Sequence, residues 1–92
     1  MLTLDGVDQG RYIVTTLSGT RHLLDLNEKT VTRYAAPGHE WDGSEGAGRD
    51  GEPFRYLTLE HATVGMCMFI QNLGAWRRTS TIQSIEYAAD DF

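Results

Sequence analysis

The densest concentration of potentially reactive groups lies in one stretch, W-D-G-S-E-G-A-G-R-D-G-E-P, from Trp41 to Pro53. Gly46, Gly48 and Gly51 carry the spacing G-x-G-x-x-G, which in a dinucleotide site turns a strand into a helix so that the pyrophosphate meets the helix N-terminus. Here Glu52-Pro53 and a strand-like F-R-Y-L-T-L follow instead, no lysine lies in the stretch, and Glu45, Asp50 and Glu52 would repel a phosphate. Calcium suits the oxygen donors of Asp42, Ser44, Glu45, Asp50 and Glu52 better, yet counting from Asp42 puts Ala47 at the sixth position and Pro53 at the twelfth. An EF-hand needs glycine and glutamate there. The stretch therefore reads as a flexible acidic connection over about 36–53, with no metal and no cofactor. Its odd member is Trp41 between Glu40 and Asp42, an aromatic flanked by carboxylates that either folds back onto the core or contacts a partner.

Elsewhere the chemistry is sparse. His22, His39 and His61 lack metal-ligand spacing, and the single thiol, Cys67, lies in the apolar run M-C-M-F-I, which makes it a small core residue rather than a nucleophile. No serine sits in a nucleophile elbow, so the chain reads as a non-enzyme. Trp76-Arg77-Arg78 is a compact aromatic and basic patch with two readings: a core tryptophan followed by solvated arginines, or a contact surface. Glu40, Trp41, Asp42, Trp76, Arg77 and Arg78 are thus the candidate partner-binding residues.

The elements that must position these residues are strands. R-Y-I-V-T-T-L, R-H-L-L-D-L and T-V-T-R-Y are separated by Ser18-Gly19 and Asn27-Glu28-Lys29, which is turn chemistry between β-prone runs. Two-residue loops at Ser18-Gly19 and Glu28-Lys29 predict that Val14 faces Leu23, Ile13 faces Leu24 and Leu26 faces Val31. One face then gathers Ile13, Leu17, Leu24, Leu26 and Val31, and the other Tyr12, Val14, Leu23 and Tyr34. In that register Arg11 and Arg33 share a face and Arg21 lies on the other. Apolar residues on both faces point to a strongly bent or closed sheet. F-R-Y-L-T-L-E, M-C-M-F-I and W-R-R-T-S-T-I-Q-S-I-E-Y supply further strands, the second read as buried, and Leu57 to Val64 leaves room for one helical turn. The expected fold is all-β: a small SH3-like barrel or bent meander of five to six antiparallel strands, forming one domain over 1–92.

Composition narrows the function classes. With 40% hydrophobic and 23% charged residues the chain is too apolar for a disordered protein. The net charge of −5 disfavours unspecific attraction to nucleic acid or anionic lipid. That charge is unevenly placed: residues 10–34 carry four basic side chains against two acidic ones, whereas 40–52 carry five acids against Arg49. M-C-M-F-I is far shorter than the roughly 20 residues of a membrane span. One cysteine and an N-terminus without a basic start or a long apolar run predict a cytoplasmic protein.

The segments V-T-T-L-S-G-T-R-H-L-L-D-L, T-R-Y-A-A-P-G and W-R-R-T-S-T-I-Q-S-I-E resemble small all-β proteins of actinobacteria and their phages. Seven arginines against one lysine fit a GC-rich genome. The resemblance implies a source and a size, and carries over no catalytic residue. The reading from sequence is a non-catalytic protein-interaction module, an accessory protein of a phage or mobile element acting on a host or phage protein. Its alternative is a small barrel that binds single-stranded nucleic acid through arginine and aromatic side chains, and a small metal-dependent or hydrolytic enzyme ranks below both.

Overall fold

A computed structural model describes residues 2–34, 51–72 and 75–88. Among them there is no helix. Seven strands run β1 (Arg11–Thr16), β2 (Arg21–Asp25), β3 (Thr30–Tyr34), β4 (Phe54–Arg55), β5 (Thr58–Glu60), β6 (Cys67–Asn72) and β7 (Ala75–Tyr87). All pairings are antiparallel, in the order β4-β3-β2-β1-β7-β6-β5. The expected all-β, strongly bent sheet is therefore what the chain adopts.

The sheet curls into a half-barrel, and its outermost strands, β4 and β5, are consecutive in sequence. Only Tyr56 and Leu57 separate them. The Tyr56 N–H bonds the Lys29 carbonyl (3.0 Å) and the Leu57 N–H bonds the Gln71 carbonyl (2.7 Å), so one run pairs first with β3 and then with β6. This change of partner divides F-R-Y-L-T-L-E in two and gives the described residues seven strands where five to six were expected. It also displaces the helical turn expected near Leu57–Val64: Thr58–Glu60 pairs with β6, and a turn follows at His61 (φ 61°).

The first hairpin differs from the two-residue loop expected at Ser18-Gly19. Thr15 pairs with Arg21, and the Thr16 N–H bonds the Thr20 carbonyl (3.0 Å) while the Gly19 N–H bonds the Thr16 carbonyl (2.9 Å). Leu17, Ser18 and Gly19 thus form a three-residue loop that ends on Gly19 at φ 88°, a left-handed position that glycine occupies without strain. That slip of one residue exchanges the faces. Tyr12, Val14 and Thr16 point inward with His22 and Leu24, whereas Ile13 is half-buried and Leu17 is exposed. Arg11 and Arg21 consequently share the outer face, and Arg33, paired with His22, lies on the inner one. The second hairpin pairs Leu24 with Val31 across the loop Leu26–Lys29. Asp25 Oδ1 accepts the Asn27 and Glu28 N–H groups (3.1 and 3.0 Å), and Lys29 has φ 57°. A shift of two residues leaves the inward set of these strands unchanged.

β7 serves both halves of the sheet because it carries two irregularities. Against β1 the register moves from Thr15↔Ser84 to Thr16↔Ile82, and against β6 from Phe69↔Arg78 to Cys67↔Thr81. Each extra residue resets the alternation and increases the local twist. Ile82 and Ile85, three apart, are therefore both buried (1% and 2% exposed). The core joins Leu24, Val31, Ile85 and Tyr56 to Val14, Met68, Ile70 and Ile82. β6 alternates rather than being buried throughout: Met68 and Ile70 face inward, while Cys67 and Met66 are exposed. Cys67 is thus a surface thiol, 3.9 Å from Thr81 Oγ1, and not a core residue.

Candidate functional site

The period-two alternation that builds the core also grades it from apolar to polar along the barrel. On β2 the inward positions read Leu24 then His22; on β3 they read Val31 then Arg33; on β1 they read Val14 then Thr16. At the polar end these groups meet the first half of β7. Ile70↔Arg77 places Arg77 on the side of Ile70, which is fully buried, so the Arg77 side chain belongs to the inner face and is half-buried. The result is a cleft of about 170 Å³.

Three groups of residues line it. His22 and Arg33 form one wall, the turn residues Thr16, Ser18 and Thr20 a second, and Arg77–Ser80 the third. The Nδ1 atom of His22 and the Nε atom of Arg77 are both removed from solvent. Hydroxyls tie the walls together: Ser18 Oγ lies 2.9 Å from Thr16 Oγ1 and 3.1 Å from Ser80 Oγ, linking the first hairpin to β7. Thr79 Oγ1 accepts the Met68 N–H (3.0 Å) and donates to the Ser80 carbonyl (2.8 Å), which holds the irregular turn of β7 in place. No carboxylate occurs among the described lining residues. Such a lining can bind an oxyanion through guanidinium and hydroxyl donors.

The outer face of the same strand carries a different surface. Gln71↔Trp76 and Phe69↔Arg78 set Phe69, Gln71, Trp76 and Arg78 on one face. Trp76 is 61% exposed, and its ring stacks on Phe69 with centroids 5.5 Å apart and an interplanar angle of 19°. Trp76 is therefore not the core tryptophan of the first reading. The three consecutive candidates divide: Trp76 stands outside, Arg77 turns into the cleft, and the exposed Arg78 shares the face of Trp76 while also lining the cleft.

Of the other sequence candidates, Glu40, Trp41 and Asp42 lie outside the described residues, as does most of the 36–53 connection. Its end is placed by the Gly51 N–H, which bonds the Arg33 carbonyl (2.8 Å). Arg11 lies 4.0 Å from Asp25 on the outer face, away from the cleft. Among the described residues no three His, Cys, Asp or Glu side chains converge as metal ligands, and no helix is long and apolar enough to cross a membrane.

Sequence reasoning missed the convergence of His22, Arg33 and Arg77. The signal was present as the pairs Leu24/His22 and Val31/Arg33, each two residues apart and hence on one face, but the slipped register of the first hairpin concealed it. No protein-family model, curated protein or solved structure matches the chain.

Proposed function

We propose that this chain is a non-catalytic interaction module on a small SH3-like barrel, and that its partner is a protein. The observation that carries this reading is Trp76, 61% exposed yet held against Phe69, with Arg78 beside it. A solvent-facing tryptophan in a fixed orientation gains more on being covered than a mobile one, because little side-chain entropy remains to be lost. Tryptophan and arginine are also the residue types that dominate binding energy at protein interfaces. The proposed role is an accessory one toward a host or phage protein in the cytoplasm. Affinity capture by the wild type and by Trp76→Ala, compared by quantitative mass spectrometry, tests this. A partner held by the wild type and about thirtyfold weaker in the variant is expected, that being the loss of one strong interface anchor. Equal capture by both, with equal folding, would exclude the Trp76 face.

A second reading is favoured by the same aromatic and arginine pair: a base of a single strand could stack on Trp76 while Arg78 meets a phosphate. It predicts affinity that falls steeply with salt and with the double change Arg77→Gln/Arg78→Gln. We expect negligible oligonucleotide binding at physiological salt. Submicromolar, salt-sensitive binding lost in that double variant would replace the protein-partner reading.

A further inference from the structure

We infer that the cleft between the first hairpin and β7 binds a single phosphoryl group. Its natural source, resting on the protein-partner reading above, is a phosphorylated side chain of the partner. The lining is rich in donors: the guanidinium groups of Arg33 and Arg77, the imidazole of His22 and the hydroxyls of Ser18, Ser80 and Thr20. Each guanidinium carries five N–H donors, so contacts already made by an arginine still leave it able to receive further oxygens. A phosphoryl group offers three acceptor oxygens and up to two charges, matching several converging donors better than the two oxygens and one charge of a carboxylate.

Size and placement select the source. At about 170 Å³ the cleft is well below the roughly 300–1,000 Å³ of pockets that enclose a whole small molecule, so it suits one head group and not a nucleotide cofactor. A nucleic-acid strand, in turn, needs a track of cationic groups along its backbone. Here the inward cations are gathered at one end of the barrel, while Arg11 and Arg21 lie on the other face. One cluster confined to the inner face at one end of the barrel corresponds to one phosphorylated side chain, the arrangement by which arginine clusters read phosphorylated segments.

The test needs no knowledge of the partner. The full chain, labelled with ¹⁵N, is titrated with inorganic phosphate, with a capped Gly-phosphoserine-Gly peptide, with acetate and with a thymidine decanucleotide, at matched ionic strength. Phosphate and the phosphopeptide should give saturable shifts at His22, Arg33, Arg77 and the Ser18 and Ser80 amides, with a Kd on the order of 1 mM for the free ion. Acetate should give none. Arg77→Lys keeps the charge but loses the guanidinium fork, and should bind phosphate about tenfold more weakly. Ser18→Ala, on the exposed turn, provides a second variant if Arg77→Lys unfolds, and should weaken phosphate severalfold. Acetate binding as tightly as phosphate, an unaltered affinity in these variants, or no saturable shift would overturn the inference. Tighter binding of the decanucleotide than of the phosphopeptide would overturn the peptide source. Trp76→Ala should leave phosphate binding intact, so loss of partner capture in that variant reports on the interaction surface alone.

Discussion

Gly10 illustrates how much a single side-chain atom would change. Its φ is 103°, and a Cβ there would lie 3.0 Å from Cε2 of Tyr12, whose ring is buried and meets Tyr87 edge-on at 5.7 Å. Gly10→Ala combines a backbone penalty of about 1–2 kcal/mol with displacement of that ring. Urea denaturation should show an unfolding free energy lowered by at least this much, read as a lower midpoint at unchanged slope. Tyr56 makes a complementary prediction about pH. Burial, reinforced by the nearby negative charge of Asp25, raises its phenol above the ordinary value. Below about pH 10 the group is neutral in both the folded and unfolded chain, and its contribution is fully present. Above that, the unfolded chain ionises first, so stability falls as pH rises towards the folded-state value. Tyr56→Phe should flatten this alkaline decline, as measured by thermal unfolding at pH 8 and pH 11.

At the scale of the strand, position matters more than residue type. Leu24 and Leu17 are the same amino acid, yet Leu24 is fully buried between Tyr12 and Val31 while Leu17 is 67% exposed in the first turn. Leu24→Ala should cost about 2–5 kcal/mol and Leu17→Ala less than about 0.5 kcal/mol. Chemical denaturation of the pair checks this directly, and the larger loss is a substantial share of the roughly 5–14 kcal/mol available to a chain of this length. The same contrast explains what the sequence could convey. Strand existence was legible, because β-branched and aromatic runs alternate between turn residues. Leu24, Leu26 and Val31 could also be assigned together, because the second hairpin differs from expectation by two residues. Tyr12 and Ile13 could not be ordered correctly, since Ser18-Gly19 suits both a two-residue loop and the end of a three-residue one. Bulges have no local signature either, which hid the phase change that buries both Ile82 and Ile85. The cleft inherited all of this: its residue types were visible, and their convergence depended on registers that only the folded sheet fixes.

For the molecule as a whole, the defining pairing is β1 with β7, which joins residues as distant as Tyr12 and Tyr87. The closure of nearly the whole chain must be achieved before that ladder yields any stabilisation. Folding should therefore occur over milliseconds to seconds, the range of small barrels dominated by non-local pairing, rather than the microseconds of helical bundles. Stopped-flow refolding followed by tryptophan fluorescence measures this. Complete recovery within the dead time would mean that local hairpins, and not the β1–β7 ladder, limit the rate. Substitutions in the ladder, such as Val14→Ala, should slow refolding if that pairing forms in the transition state.

The same ladder has a mechanical consequence. Arg11, at the start of β1, and Ala88, just after β7, lie side by side, joined by the Ala88 N–H to the Arg11 carbonyl at 2.8 Å. Tension applied between these two points pulls neighbouring strands apart from one end, and antiparallel hydrogen bonds lie across the strands, in line with that pull. They would rupture one after another, as a zipper opens, instead of resisting together in shear. Anchored at those positions in a force spectrometer, the domain should yield at low force. Anchored instead at Arg11 and at Ile82, the opposite end of the paired segment on β7, the ladder is loaded in shear and should hold to a higher force.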